Sequence, residues 1–160
     1  ASERTAAAVG KVGEVRRDPM AMLPFCGYNM ADYFGHWLDM GRRIRRKPRI
    51  FHVNWFRTDE RGKFLWPGFG ENLRIIEWIL ARCRGEVAGV KTPIGYVPNP
   101  SDLDMTGLDI TAETMDKLFA VNTEAWKEEA KDIAAFFDQF GTRLPAEMLR
   151  QLEQLNQRLG

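Results

Sequence analysis

NWFRTDERGKFLWPGFGEN, residues 54–72, is the most distinctive stretch of this chain, with five aromatic residues and three glycines among its nineteen positions. Gly68 and Gly70 allow the backbone to come close to a bound molecule, and Pro67 stiffens the approach. The stretch leads directly into residues 73–84, which show the 3.6-residue period of an amphipathic helix. The apolar positions of that period are Ile75, Ile76, Ile79 and Leu80.

Two interpretations of the aromatic stretch are open. In the first, it holds a flat ligand, and the amide groups that begin the following helix face that ligand because they lack partners within the helix. In the second, the aromatic side chains form a hydrophobic core around a hairpin. Aromatic clusters are commonest in cores, so the pattern taken alone favours the second interpretation.

Composition predicts one globular domain. The chain has 160 residues, of which 44% are hydrophobic and 28% charged, which is enough for one core and unlike a disordered chain. No apolar run approaches the roughly eighteen residues of a membrane span, and the Ala-rich start lacks the apolar centre of a signal peptide. We therefore expect a cytoplasmic protein without a membrane partner. Because the chain begins with Ala1 and its first residues can bury little surface, we expect a fragment.

Cysteine and charge exclude further classes. Cys26 and Cys83 are the only cysteines, so neither a disulfide framework nor a cysteine metal site is available, and we expect reduced thiols. The net charge of +1 gives no overall attraction to nucleic acid. A local basic run from Arg42 to Arg49 is most simply a solvated connector.

Strand and turn signals lie on either side of the helix-like run. Residues 50–56 have the β-branched and aromatic content of a strand. A turn at 59–62, with Gly62 free to take positive φ, would return the chain through 63–66 as a hairpin. Residues 92–100 contain three prolines and are predicted to form a stiff extended loop.

The remaining signals predict helices. Asn29 can cap a helix that runs to about Met40, and Thr111 and Asn122 can cap two more. Pro145 suits the first turn of a final amphipathic helix. Together with the run after the aromatic stretch, these signals predict a mixed fold of the α/β class (α+β in this portion), with short strands or a hairpin and about five helices.

Catalytic motifs are missing from the sequence. It contains no paired carboxylates in a plausible pocket, no Ser/His/Asp or Cys/His set, no Walker loop and no metal-ligand spacing. His52 and Asp59 are too isolated to form a metal pair. If the protein is an enzyme, its chemistry lies outside this chain.

Four blocks of sequence resemble, in order, the C-terminal part of GTP-dependent phosphoenolpyruvate carboxykinase. They are DPMAMLPFCGYN at 18–29, FHVNWF at 51–56, GKFLWPGFGEN at 62–72 and TPIGYVP at 92–98. The eleven-residue block is highly specific, and the resemblance covers essentially the whole chain.

The resemblance implies an enzyme of gluconeogenesis. Members of this family decarboxylate oxaloacetate and transfer the γ-phosphoryl group of GTP to the enolate, which gives phosphoenolpyruvate, GDP and CO2. They use Mn2+ and Mg2+, and the complete enzyme is expected to be a monomer that binds small molecules and no nucleic acid. The family's phosphate loop, metal ligands and carboxylate-binding arginines lie upstream of the matching region. This chain alone is therefore expected to lack catalysis.

The resemblance also implies a nucleotide site. Phe56, Phe64 and Phe69 would line a guanine pocket, and the Asn72 amide would recognise the base edge. Gly70 and Glu71 are expected to bind the nucleotide as well. Stacking alone cannot separate guanine from adenine. A positioned amide can, because its N–H donates to guanine O6, where adenine presents a donor.

The first residues resemble the start of the family's mobile Ω-loop lid, whose closure would exclude water from the reactive enolate. Residues 9–13 are less charged than the eukaryotic pattern. We divide the chain into a lid-like segment, 1–17, and the C-terminal part of a nucleotide-binding domain, 18–160. The expected lid residues are Glu3, Arg4, Thr5, Ala6, Ala7, Ala8, Val9, Gly10, Lys11, Val12 and Gly13.

Two alternatives belong to other classes. The chain could be a non-catalytic module with an aromatic core, in which the helices from Thr111 onward bind a partner protein. It could also bind nucleic acid through the basic run from Arg42 to Arg49 and nearby aromatic side chains.

Overall fold

A computed structural model describes residues 22–160, together with the backbone of two short strands nearer the N-terminus. These are β1 (Ser2–Glu3) and β2 (Val15–Arg16), which pair antiparallel. Other residues of the expected lid lie outside the described part of the chain. The predicted mixed fold is confirmed, since residues 22–160 form five α-helices and one antiparallel hairpin. The helices are α1 (Met30–Arg43), α2 (Asn72–Arg84), α3 (Ala112–Phe119), α4 (Thr123–Asp138) and α5 (Ala146–Leu159), and the hairpin strands are β3 (Val90–Thr92) and β4 (Gly95–Val97).

Side-chain caps begin three helices where the sequence predicted them. Asn29 Oδ1 accepts a hydrogen bond from the Ala31 N–H at 2.9 Å, and Asn122 Oδ1 accepts one from the Ala125 N–H at 3.0 Å. Thr111 Oγ1 accepts from the Thr114 N–H at 3.2 Å. Each cap satisfies an amide that has no partner within its helix.

The chain divides into two compact units. The first unit comprises Ala1–Lys47 with Lys127–Arg158 and Gly160. Its core joins Met30, Ala31 and Phe34 of α1 to Phe140. The rings of Phe34 and Phe140 meet edge to face with centroids 5.4 Å apart, a favoured geometry for aromatic pairs.

The second unit comprises Pro48–Trp126 with Leu159. Its core is built around Trp78 of α2, which packs with Leu103 and with Met115 of α3. Phe51 meets the Trp78 indole edge to face at a centroid distance of 6.3 Å. The inner face of α2 therefore packs both against residues that precede the helix in the sequence and against residues that follow it.

The strand predicted at 50–56 is wrong. From residue 51 to residue 59 the chain alternates between half-buried and exposed positions, as a strand does, but it has no partner strand among the described residues. Asn54 Oδ1 accepts from the Phe56 N–H at 2.9 Å, and this local bond turns the chain before a ladder can form. The predicted hairpin is reduced to a single antiparallel bridge between Thr58 and Phe64.

The extended loop predicted at 92–100 is also wrong. Residues 90–97 form the β3–β4 hairpin, with Val90 opposite Val97 and Thr92 opposite Gly95. Pro93 lies in the two-residue turn, where its fixed φ is compatible with the reversal. Gly95 follows at φ 129°, and the Thr92 hydroxyl donates to the Gly95 carbonyl at 2.8 Å. The prolines therefore mark a turn here and not a continuous extended segment.

Two glycines give a matched test of the helix assignments. Gly35 lies within α1, where an added Cβ would be 3.9 Å from Pro145 Cγ, an ordinary contact. Gly35→Ala should raise the free energy of unfolding by about 1 kcal/mol, because alanine favours helix and restricts the unfolded chain. Urea denaturation of the 160-residue chain, followed by far-UV circular dichroism, measures the change.

Gly85→Ala is the control. Gly85 ends α2 at φ 81°, with open space where a Cβ would lie, so only the backbone penalty acts. We expect this variant to lose about 1 kcal/mol. Equal losses in both variants would contradict the helical environment of Gly35.

Candidate functional site

A tight turn brings two of the candidate phenylalanines together. Asp59 Oδ1 accepts hydrogen bonds from the Arg61 and Lys63 N–H groups, both at 2.9 Å, and Gly62 takes φ 78°. The chain therefore reverses between Thr58 and Phe64. As a result the rings of Phe56 and Phe64 lie side by side, with centroids 6.0 Å apart and planes inclined at 62°.

All three candidate phenylalanines face solvent. Phe56 is 71% exposed, Phe64 57% and Phe69 92%. Trp66, from the same stretch, is only 7% exposed, and its ring lies 6.0 Å from that of the half-buried Trp55. The core interpretation is therefore wrong for the phenylalanines and holds for the tryptophans. The aromatic residues of the stretch therefore form an inner pair, Trp55 and Trp66, and an outer set of three exposed phenylalanines.

Asn72 is the first residue of α2 and is half-buried. The indole Nε1 of Trp66 donates to Asn72 Oδ1 at 2.9 Å. An indole nitrogen can only donate, so its partner must be the amide oxygen. Within residues 22–160, no group accepts a hydrogen bond from Asn72 Nδ2. The amide therefore retains its two N–H donors for another partner.

Glu71 is held by a neighbouring arginine. Gly68, at φ 131°, begins the short turn Phe69–Glu71. The Glu71 carboxylate accepts from Arg74 Nε at 2.7 Å, and the same guanidinium donates to the carbonyls of Asp104 at 2.5 Å and Thr106 at 2.9 Å. Glu71 thus fastens the loop to residues 104–106 through Arg74. An added Cβ at Gly70 would meet nothing within 4 Å, so the backbone there is open to approach.

The loop contacted by Arg74 is itself ordered by local bonds. Asp104 Oδ1 accepts from the Thr106 N–H at 2.9 Å. Hydrogen bonds from Thr106 hold the pKa of the Asp104 carboxyl below its ordinary value, and the Arg74 guanidinium lowers it further. The carboxylate is therefore charged at neutral pH and remains available to Thr106.

Arg57 anchors the other arm of the turn. Its Nη1 donates to the carbonyls of Leu118 at 2.9 Å and Ala120 at 2.8 Å. These carbonyls lie at the C-terminal end of α3, where they have no partners within the helix. Arg57 thus ties the position next to Phe56 to a second helix.

Sequence reasoning did not find the roles of Trp66, Arg57 and Arg74. For Trp66 the only available signal was its place six residues before Asn72 in the same aromatic stretch. Arg57 and Arg74 bind backbone carbonyls distant in sequence, and no side-chain pattern records such partners.

The structure does not unite every predicted site residue. It places Phe56 beside Phe64 and joins Asn72 to Trp66, while Phe69 has no aromatic ring contact within the described part of the chain. Of the expected lid residues 3–13, only the backbone of Glu3 is described; it lies in β1, opposite Val15 of β2.

Two further findings concern residues 22–160. They contain no group of three or more His, Cys, Asp or Glu side chains placed to bind a metal ion. None of the helices described is both long enough and apolar enough to cross a bilayer.

The family match and the similar proteins of known name point to the same family. Residues 1–158 match the family described as "Phosphoenolpyruvate carboxykinase C-terminal P-loop domain". The chain is 50% identical over 158 residues to "Phosphoenolpyruvate carboxykinase [GTP]" of Thermoplasma volcanium. It is 47% identical over 159 residues to the protein of that name from Chlamydia muridarum, and 48% identical over 162 residues to the one from Neocallimastix frontalis.

The extent of these matches is uneven. Each covers 99% of this chain but only 26% of the relative, so the chain spans about a quarter of the length of these relatives. The family match and the identities agree with the resemblance noted in the four sequence blocks. The chain belongs to the GTP-dependent phosphoenolpyruvate carboxykinase family, as part of its C-terminal P-loop domain.

Proposed function

We propose that this chain is the guanine-recognising part of an enzyme that converts oxaloacetate and GTP into phosphoenolpyruvate, GDP and CO2. The observation that carries the proposal is that three exposed phenylalanines lie in the same nineteen-residue stretch as Asn72, whose amide has unused donors. Covering an exposed aromatic ring removes apolar surface from water, which is favourable. Three exposed phenylalanines in one stretch of chain therefore favour the binding of an aromatic ligand.

The rings of Phe56 and Phe64 supply affinity for a base. Their centroids are 6.0 Å apart and their planes are inclined, so the two rings offer an edge and a face to a purine. Stacking of a base on an aromatic side chain contributes about 1 to 3 kcal/mol in nucleic-acid complexes. Phe69, which is 92% exposed, provides a further ring from the other end of the loop.

The Asn72 amide supplies specificity. Its free Nδ2 can donate to guanine O6, whereas adenine presents an amino donor at the corresponding position. Two donors that face each other leave both unpaired, and a site that depends on this bond rejects the wrong base. Gly70 lets the base approach the backbone, and Glu71 acts indirectly because its carboxylate binds Arg74.

Several finer features of the complete enzyme form part of the proposal. Residues 1–17 act as a lid that closes over the active site, and residues 18–160 belong to the nucleotide-binding domain. Mn2+ and Mg2+ bind to residues outside this chain, as do the phosphates of GTP. The enzyme works as a cytoplasmic monomer in gluconeogenesis, without a nucleic-acid or membrane partner.

The interaction-module alternative is weakened by exposure. It required the aromatic stretch to be a core, and only Trp66 and the half-buried Trp55 meet that description. The nucleic-acid alternative rested on the run from Arg42 to Arg49, which lies on the surface at the end of α1 and after it. A solvated connector explains these residues equally well.

Specificity and affinity should separate on mutation. In a full-length carboxykinase that contains this segment, Asn72→Ala should lower the ratio of kcat/KM for GTP over ATP by roughly 10- to 100-fold, because the donor to O6 is lost. Phe64→Leu should lower both values by about tenfold and leave the ratio nearly unchanged, because stacking does not distinguish purines. Steady-state kinetics with both nucleotides measures the two effects. Proportional losses in both variants would refute recognition by the amide.

The isolated chain should bind GTP weakly. Calorimetric titration of the 160-residue chain with GTP and Mn2+ should give a Kd well above about 1 μM, since the phosphates and metal contribute much of the binding free energy. The same titration of the full-length enzyme is the control. Micromolar or tighter binding by the isolated chain would mean that residues such as Arg61, Lys63 or Lys91 hold the phosphates.

A further inference from the structure

The geometry points to Trp66 as a positioning residue that decides which end of the Asn72 amide faces the ligand. This inference rests on the proposed function, since it concerns how the same site tells guanine from adenine. Its basis is the 2.9 Å hydrogen bond from Trp66 Nε1 to Asn72 Oδ1. We assign to Trp66 a role in specificity without contact with the base.

The two ends of a carboxamide have nearly the same shape and opposite hydrogen-bonding character. An amide that can turn over presents either donors or an acceptor, and it can therefore match guanine O6 or the adenine N6 amino group. Asn72 alone does not select guanine. Selection requires a second group that makes one orientation more stable than the other.

Trp66 is suited to that task because its donor is fixed. The side chain is 7% exposed, and its ring lies beside that of Trp55 with centroids 6.0 Å apart. Pro67 follows it directly, which restricts the backbone. If the Asn72 amide turned over, the Trp66 N–H would face the Nδ2 donors, and a buried donor would lose its partner. Such a loss disfavours the flipped orientation by a factor of roughly 5 to 150.

The bond is not a general property of buried tryptophans in this chain. Trp78 is 5% exposed, and its Nε1 has no hydrogen-bond partner among the described residues. Trp78 serves the apolar core of the second unit through its ring alone. The N–H of Trp66 is thus used where a ligand-facing amide must be oriented.

Removal of the Trp66 N–H is the direct test. In a full-length carboxykinase that contains this segment, Trp66→Phe should lower the ratio of kcat/KM for GTP over ATP about tenfold, since the amide becomes free to turn over. ITP also carries the O6 acceptor, so the ratio of ITP to GTP should not change. Trp55→Phe is the matched control: it also replaces an indole in the inner pair but leaves the Asn72 bond, and it should keep the wild-type GTP to ATP ratio.

A double-mutant cycle separates positioning from packing. In an Asn72→Asp background both carboxylate oxygens are acceptors, so turning the group over changes nothing. Adding Trp66→Phe to that background should leave the GTP to ATP ratio unaltered, whereas a packing effect would persist. Thermal melts check that each variant is folded, and Trp66→Met, which also lacks an N–H donor and adapts to irregular space, replaces Trp66→Phe if the latter unfolds.

Three further outcomes would overturn the inference. Equal loss of activity toward GTP, ITP and ATP in Trp66→Phe would leave Trp66 with a packing role only. The same loss of discrimination in Trp55→Phe would mean that the bond to Asn72 is not the cause. A wild-type enzyme with no preference for GTP over ATP would refute the proposed function itself, and the inference with it.

Discussion

Burial of the Trp78 indole holds the second unit together, and the position of Asn72, the first residue of the same helix, depends on it. Trp78 packs with Leu103, Met115 and Phe51, so one side chain of α2 gathers polypeptide from both sides of that helix. Because α2 is fixed, its first residue is fixed as well. Asn72 therefore presents its amide from a rigid helix end, which is a more exact platform than a free loop.

Hydrogen bonds from two arginines to backbone carbonyls hold the aromatic stretch in place, in addition to the packing of the apolar core. Arg57 fastens one side of the aromatic stretch to the end of α3, and Arg74 fastens the other side to residues 104–106. Each guanidinium satisfies two carbonyls and restricts a loop. The exposed rings of Phe56 and Phe64 thus lie on a loop that is secured at both ends, which lowers the conformational entropy that the loop would lose if a ligand bound there.

Local chemistry in the sequence predicted more of the fold than long-range chemistry did. The caps at Asn29, Thr111 and Asn122 were predictable because each bonds to an amide two or three residues away. The strand predicted at 50–56 from its β-branched and aromatic content was wrong because the segment has no partner strand among the described residues. In the site, resemblance named the phenylalanines and Asn72. Their exposure could not be predicted, since an aromatic cluster looks the same in sequence whether it is inside or outside.

The alternation between inner and outer positions along residues 51–59 limits how this segment can evolve. Trp55 and Phe56 are neighbours, one half-buried and the other exposed. Inserting or deleting one residue between Phe51 and Trp55 would exchange these two positions. The Trp55 indole would then be exposed and the Phe56 ring would be buried. A substitution in the segment changes one side chain at a time, whereas a change in its length alters the burial of every side chain that follows. Lineages of this family should therefore keep the number of residues in this segment constant.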